Sequence, residues 1–132
     1  FEEVLQMSAI RKIHTENAPA AVGPYSQAVE VNGMLYTSGQ IPLDPATGNI
    51  VDGDIKAQAD RAMKNIVAVL EAAGTTADKV VKTMCFLADM DDFAAFNEVY
   101  AEYFTEKPAR SCVAVKSLPK GALCEIEVIA AL

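Results

Sequence analysis

Pro108-Ala109-Arg110-Ser111-Cys112, with Glu125 thirteen positions after the cysteine, brings a permanent cation, a thiol and a carboxylate into one short stretch. Proline stiffens the backbone just ahead of the arginine. Apolar residues follow at Val113 and Val115, so a strand begins here. A guanidinium at a strand entrance presents a planar fork that matches a carboxylate or phosphate with two parallel hydrogen bonds. Most arginines simply face water, so the fork gains meaning only from its surroundings. Glu125 is harder to dismiss, because it sits between Cys124 and Ile126 in a largely apolar run. Tyr25, Ser38 and Asn97 are further polar residues of interest. Each is equally suited to satisfying a backbone group or closing a turn.

Other chemistries lack their residues. His14 is the only histidine, so no Ser-His-Asp triad or transition-metal site suggests itself, and no metal is expected. Neither phosphate-cradling glycine motif is present, so no nucleotide cofactor is implied. The net charge of -7 and the absence of a lysine/arginine run argue against nucleic acid as a partner. Three cysteines, Cys85, Cys112 and Cys124, form no Cys-x-x-Cys pair and lie in apolar runs. They read as reduced core thiols and point to a cytoplasmic setting. No apolar run is long enough for a membrane span.

The elements that must position these groups follow from local pattern. Strands are expected over 10–15, 27–31 and 34–38, the last two joined by the hairpin signal Asn32-Gly33. Asp54 caps a helix whose apolar stripe runs from Ile55 to Ala73, and Gly74 ends it. Residues 80–88 read as a central strand buried on both faces. Phe93, Phe96, Tyr100, Tyr103 and Phe104 recur at helical spacing and read as core. Residues 110–116 and 123–131 are the last strands. The sum is an α+β domain, a mixed six-stranded sheet with two helices on one face, spanning residues 7–132. Residues 1–6 read as an N-terminal extension or cloning remnant. The uncovered, apolar sheet face predicts a homo-oligomer.

Gly23-Pro24-Tyr25-Ser26-Gln27, Thr37-Ser38-Gly39-Gln40-Ile41-Pro42, Pro108-Ala109-Arg110-Ser111-Cys112, and Leu118-Pro119-Lys120-Gly121 with Glu125-Ile126-Glu127 resemble the signatures of the Rid (reactive intermediate deaminase, or YjgF) family. Arg110 stands where the deaminase-active branch places its substrate arginine. The resemblance implies a chorismate-mutase-like fold and a homotrimer with clefts between subunits. It implies hydrolysis of 2-imino acids such as 2-iminobutanoate and 2-iminopropanoate, without a cofactor. Competing functions are a non-catalytic binder of small 2-oxo acids and an endoribonuclease.

With such a substrate, Arg110 grips the carboxylate, helped by the backbone N–H groups of Gly39 and Cys112. Glu125 moves protons between water and departing ammonia. Cys112 lines the pocket, since no histidine activates it. Tyr25, Ser38 and Asn97 close the pocket and hydrogen-bond substrate or water. Both helical crossovers make parallel strands, which predicts Ser38 and Arg110 at opposite ends of the sheet. A site holding both then needs two subunits, with Arg110 and Cys112 from one and Ser38, Gly39 and Glu125 from the other.

Overall fold

A computed structural model describes residues 9–132, and the expected extension over residues 1–6 lies outside them. The chain runs β1 (Arg11–Ile13), β2 (Ala28–Val31), β3 (Met34–Thr37), α1 (Ile55–Ala72), β4 (Val80–Leu87), α2 (Phe93–Tyr103), β5 (Ala109–Ala114) and β6 (Cys124–Ala131). Short 3-10 turns at Met90–Asp92 and Pro119–Gly121 lead into α2 and β6. The hairpin between β2 and β3 turns on Asn32 (φ 52°) and Gly33 (φ 76°). Two positive φ values in succession match the right-handed twist of the flanking strands, which is why Asn-Gly belongs there.

Helix α1 is bounded by local chemistry at both ends. Asp54 Oδ1 accepts the Ala57 N–H at 3.1 Å, satisfying one of the free donors of the first turn. At the other end the Gly74 N–H donates to the Glu71 carbonyl and the Thr75 N–H to the Leu70 carbonyl, both at 3.0 Å. This is a Schellman closure. Ala59, Ala62, Met63, Ile66, Val69 and Leu70 form the buried stripe between. Helix α2 is tied to α1 where the Tyr103 hydroxyl donates to Asp60 Oδ1 at 2.6 Å and where Lys56 pairs with Glu98.

The sheet order is β1-β2-β3-β6-β4-β5. Strand β6 lies antiparallel between β3 and β4, while β4 and β5 are parallel neighbours. Both crossovers therefore join parallel strands, and the first steps over the place that β6 fills. The helices pack on one face, above Thr83, Cys85 and Leu87 of β4 and Cys124, Ile126, Val128 and Ala130 of β6, all buried.

Strand β4 is not buried on both faces, as its apolar run suggested. Val81 and Lys82 are exposed and Met84 and Phe86 only partly covered. Both helices occupy the other face, so among the described residues no helix covers this one. The bare face carries an apolar patch, Tyr36 (41% exposed) and Val113 (45%) with Met84, Phe86 and Ile129, alongside Lys82, Glu125 and Glu127. Among the described residues no helix is long and apolar enough to cross a membrane.

Candidate active site

Arg110 is the second residue of β5, in register with Thr83 of β4. Neighbours in register share a sheet face, so its side chain lies on the helix side, under α2. There Nη1 donates to Asn97 Oδ1 at 2.6 Å. The guanidinium carbon lies 5.4 Å from the Phe93 ring centroid and 4.7 Å from that of Tyr100. No carboxylate among the described residues pairs with it. A cavity of about 510 Å³ opens beside it, lined by Asn97, Tyr100, Phe104, Pro108 and Arg110. Two residues on, Cys112 shares this face. The Val115 N–H bonds the Leu87 carbonyl. By the alternation of a parallel pair, the Cys112 N–H then points off the free outer edge of the sheet.

Glu125 occupies the other face of the sheet. It follows Cys124 at the start of β6 and is in register with Phe86. A cavity of about 480 Å³ collects Tyr25, Ser38, Gly39, Pro119, Lys120 and Glu125. Mutual bonds between the Gln40 and Ile126 backbones, at 2.8 and 3.1 Å, fasten the chain beyond β3 to β6. Gly39 therefore lies directly against Glu125, where an added Cβ would stand 2.7 Å from the carboxyl carbon. Only glycine permits that approach. The Ser38 hydroxyl donates to the Ser26 carbonyl at 2.6 Å, so toward the cavity it offers lone pairs. Buried Gln27 holds the loop that carries Tyr25. Its amide accepts from the Thr15 N–H at 2.7 Å and donates to the Pro19 carbonyl at 2.8 Å.

Burial raises the Glu125 pKa above the ordinary glutamate range, and Glu127 on the same face raises it further. Such a carboxyl is a stronger base than one in water. Its stability effect has the opposite sign to that of a salt-bridged acid: it is fully present below the unfolded pKa of about 4.3 and lost as pH rises through the raised folded value. Glu125→Gln is thus expected to melt higher than wild type at pH 7, with the gap closing toward pH 4. Thermal scans at both pH values check this, and a lower melting point for the variant at pH 7 would overturn it.

Within one chain the two groups of residues do not meet. Arg110, Asn97 and Cys112 stand on the helix face, whereas Tyr25, Ser38, Gly39 and Glu125 line a separate cavity associated with the bare face. The reason differs from the one expected. Arg110 is in register with Thr83, and Thr83 with Val128, whose N–H bonds Thr37 Oγ1 at 2.9 Å. Arg110 and Ser38 therefore lie almost level along the strands, not at opposite ends. Three strand spacings, roughly 14 Å, separate them across the sheet.

The family model for endoribonuclease L-PSP matches residues 15–132. The chain belongs to the L-PSP family. This is the family, Rid or YjgF, that the four motifs resemble. An L-PSP relative in Pyrococcus horikoshii, a RutC family protein, is 57% identical over 119 residues, which is 89% of this chain and 94% of that one. The 2-iminobutanoate/2-iminopropanoate deaminase of Salmonella typhimurium is 50% identical over 124 residues, covering 91% and 96%. The crystal structure of Escherichia coli TdcF with bound serine superposes with a TM-score of 0.88 at 44% identity, covering 92% of this chain and 98% of TdcF.

Other candidate residues fall into place on the L-PSP fold. Burial raises the Cys112 pKa above the ordinary thiol range, and Arg110 only partly offsets this. His14 is exposed and follows β1, at the opposite sheet edge from β5. Among the described residues no cluster suits a metal ion. Pro119 and Lys120 at the Glu125 cavity escaped the residue-by-residue reading. Their signal was the Leu-Pro-Lys-Gly turn that ends four residues before Glu125, where Lys120 takes φ 57°. Phe93 and Tyr100 also escaped it, because an aromatic stripe at helical spacing reads first as core.

Proposed function

We propose that this chain hydrolyses small 2-imino acids to 2-oxo acids and ammonia, in sites formed where subunits of a homotrimer meet. The observation that carries it is Arg110, a partly buried guanidinium with no carboxylate partner among the described residues, held by groups that leave most of its donors free. A charge in such a place is costly unless an anion arrives. A 2-imino acid is a small anion, and the TdcF structure, with its bound amino acid, and the Salmonella deaminase support the class. Across an interface, the Arg110 fork and the Cys112 N–H of one subunit would face Ser38, Gly39, Tyr25 and Glu125 of the next. The apolar patch on the bare face supplies a surface suited to the contact.

The chemistry needs orientation, one water and a proton carrier. The carboxylate docks on Arg110, and the imine N–H donates to the Ser38 oxygen. Protonation at nitrogen makes the imine an iminium ion, and water adds to its C2 as Glu125 takes a proton, giving a neutral carbinolamine. Glu125 returns that proton to nitrogen, the C–N bond breaks to release ammonia, and Glu125 takes the hydroxyl proton as the carbonyl forms, giving it up to solvent afterwards. The sum is imine plus water to oxo acid plus ammonia. The raised basicity of Glu125 suits both transfers. RNA is disfavoured by the net charge of -7.

Ammonia release from 2-iminobutanoate, generated in place by a threonine dehydratase, tests the activity. Faster release than in solvent is expected. Equal release, with 2-oxobutanoate still bound, would leave only a binding protein. The shared site is tested by refolding Arg110→Ala with Glu125→Ala subunits. Each alone is inactive, and the random mixture should regain about a quarter of wild-type activity, since each site draws its two halves from neighbouring subunits of a closed ring. No recovery would place both residues in one chain's site.

A further inference from the structure

Resting on Arg110 as the carboxylate grip, we propose that Tyr100, anchored by Thr83, is a positioning residue that fixes the plane of the Arg110 guanidinium. Among the described residues the Arg110 guanidinium makes one direct hydrogen bond, from Nη1 to Asn97 at 2.6 Å. One bond defines a point and leaves rotation about it. The Tyr100 ring, 4.7 Å from the guanidinium carbon, and the Phe93 ring, at 5.4 Å, remove that freedom by facing the cation. Aromatic faces hold a cation without using its N–H groups. A carboxylate or a second amide in the same place would consume the donors that must stay free for substrate.

Tyr100 is itself fixed. It is 8% exposed, and its hydroxyl lies 2.8 Å from Thr83 Oγ1. Thr83 is fully buried and is the β4 residue in register with Arg110. Threonine and arginine are thus held by adjacent backbones, while tyrosine bridges them from α2. The Phe96 ring, 6.1 Å away on one side, and the Phe104 ring, 4.8 Å away on the other, limit movement of Tyr100. Burial keeps the phenol protonated, so the ring meets Arg110 as a neutral face. A leucine would keep this place apolar, though it is smaller than tyrosine. It would provide neither the face nor the bond to Thr83.

The test uses the assembled protein and four variants: Tyr100→Leu, Tyr100→Phe, Thr83→Val and Arg110→Ala. Calorimetric binding of 2-oxobutanoate is read beside the Arg110 Nε–H signal in a proton–nitrogen NMR spectrum, assigned by its loss in Arg110→Ala. Tyr100→Leu should weaken binding roughly tenfold, with the KM for imine rising in step and kcat within about twofold. Its Arg110 signal should lose the ring-current shift. Tyr100→Phe, which keeps the face, should recover most of the affinity. Thr83→Val, nearly isosteric, should cost about threefold. Binding within twofold of wild type in Tyr100→Leu would overturn the proposal. So would weaker binding with an unmoved Arg110 signal, which marks a purely structural role. Should Tyr100→Leu fail to fold, Thr83→Val and Tyr100→Phe decide it by the same readouts. Should Arg110→Ala bind 2-oxobutanoate like wild type, the carboxylate grip itself is wrong.

Discussion

Arg110→Ala is expected to abolish imine hydrolysis and 2-oxobutanoate binding while leaving the fold intact. The guanidinium is partly buried, has no counter-ion among the described residues, and is held by Asn97 and two aromatic rings. Removing one partner of a desolvated charge pair costs about 2–5 kcal/mol, or roughly thirty- to several-thousand-fold in kcat/KM. The fold should survive because the lost side chain lies on an edge strand beside a cavity. Ammonia-release kinetics and calorimetry check both halves of the expectation, and activity within threefold of wild type would overturn it. Arg110→Lys should not restore full activity, since an ammonium cannot reproduce the fork.

Glu125→Ala should separate turnover from binding. A carboxyl made more basic by burial and by Glu127 is suited to carrying a proton between water and ammonia. General acid–base help is worth about 100- to 10,000-fold in kcat. The affinity for 2-oxobutanoate, which undergoes no hydrolysis, should change little. The acid limb of the wild-type kcat/KM profile should fall at a higher pH than for an ordinary glutamate, because the base is lost as pH drops through its raised pKa. A parallel loss of binding and turnover would make Glu125 a binding group and remove the proton carrier from the mechanism.

The residues best legible in the sequence were those whose roles are local. Asp54 and Gly74 mark the ends of α1 because capping needs only the next few residues. Asn32-Gly33 marks the hairpin because its backbone conformation is a property of the dipeptide. Glu125 stood out because a carboxylate in an apolar run needs a reason. The insertion of β6 between β3 and β4 was hidden, since it depends on pairing between segments far apart in the chain. That insertion sets how far Arg110 lies from Ser38 across the sheet, and the expectation of opposite sheet ends failed on register, which sets Arg110 level with Thr83 and Val128. Tyr100 was legible as core and is core. Its contact with Arg110 required knowing which strand α2 covers. Lengthwise apolar runs misled in β4, where a bare face looks the same in sequence as one covered by a helix.

The Ser38 hydroxyl spends its only hydrogen on the Ser26 carbonyl. An imine brings a hydrogen on nitrogen to such an oxygen, and the oxo acid formed from it brings another pair of electrons. Substrate and product share a carboxylate, a carbon skeleton and nearly the same shape, so Arg110 cannot tell them apart. On the proposed function Ser38 would, accepting a hydrogen bond from the first and repelling the second. The same fixed oxygen would then favour departure as soon as the reaction is over, limiting inhibition by the oxo acid that accumulates. On that reading the bond from the Ser38 hydroxyl to the Ser26 carbonyl, just beyond β3, would be the point at which an imine is distinguished from its hydrolysis product.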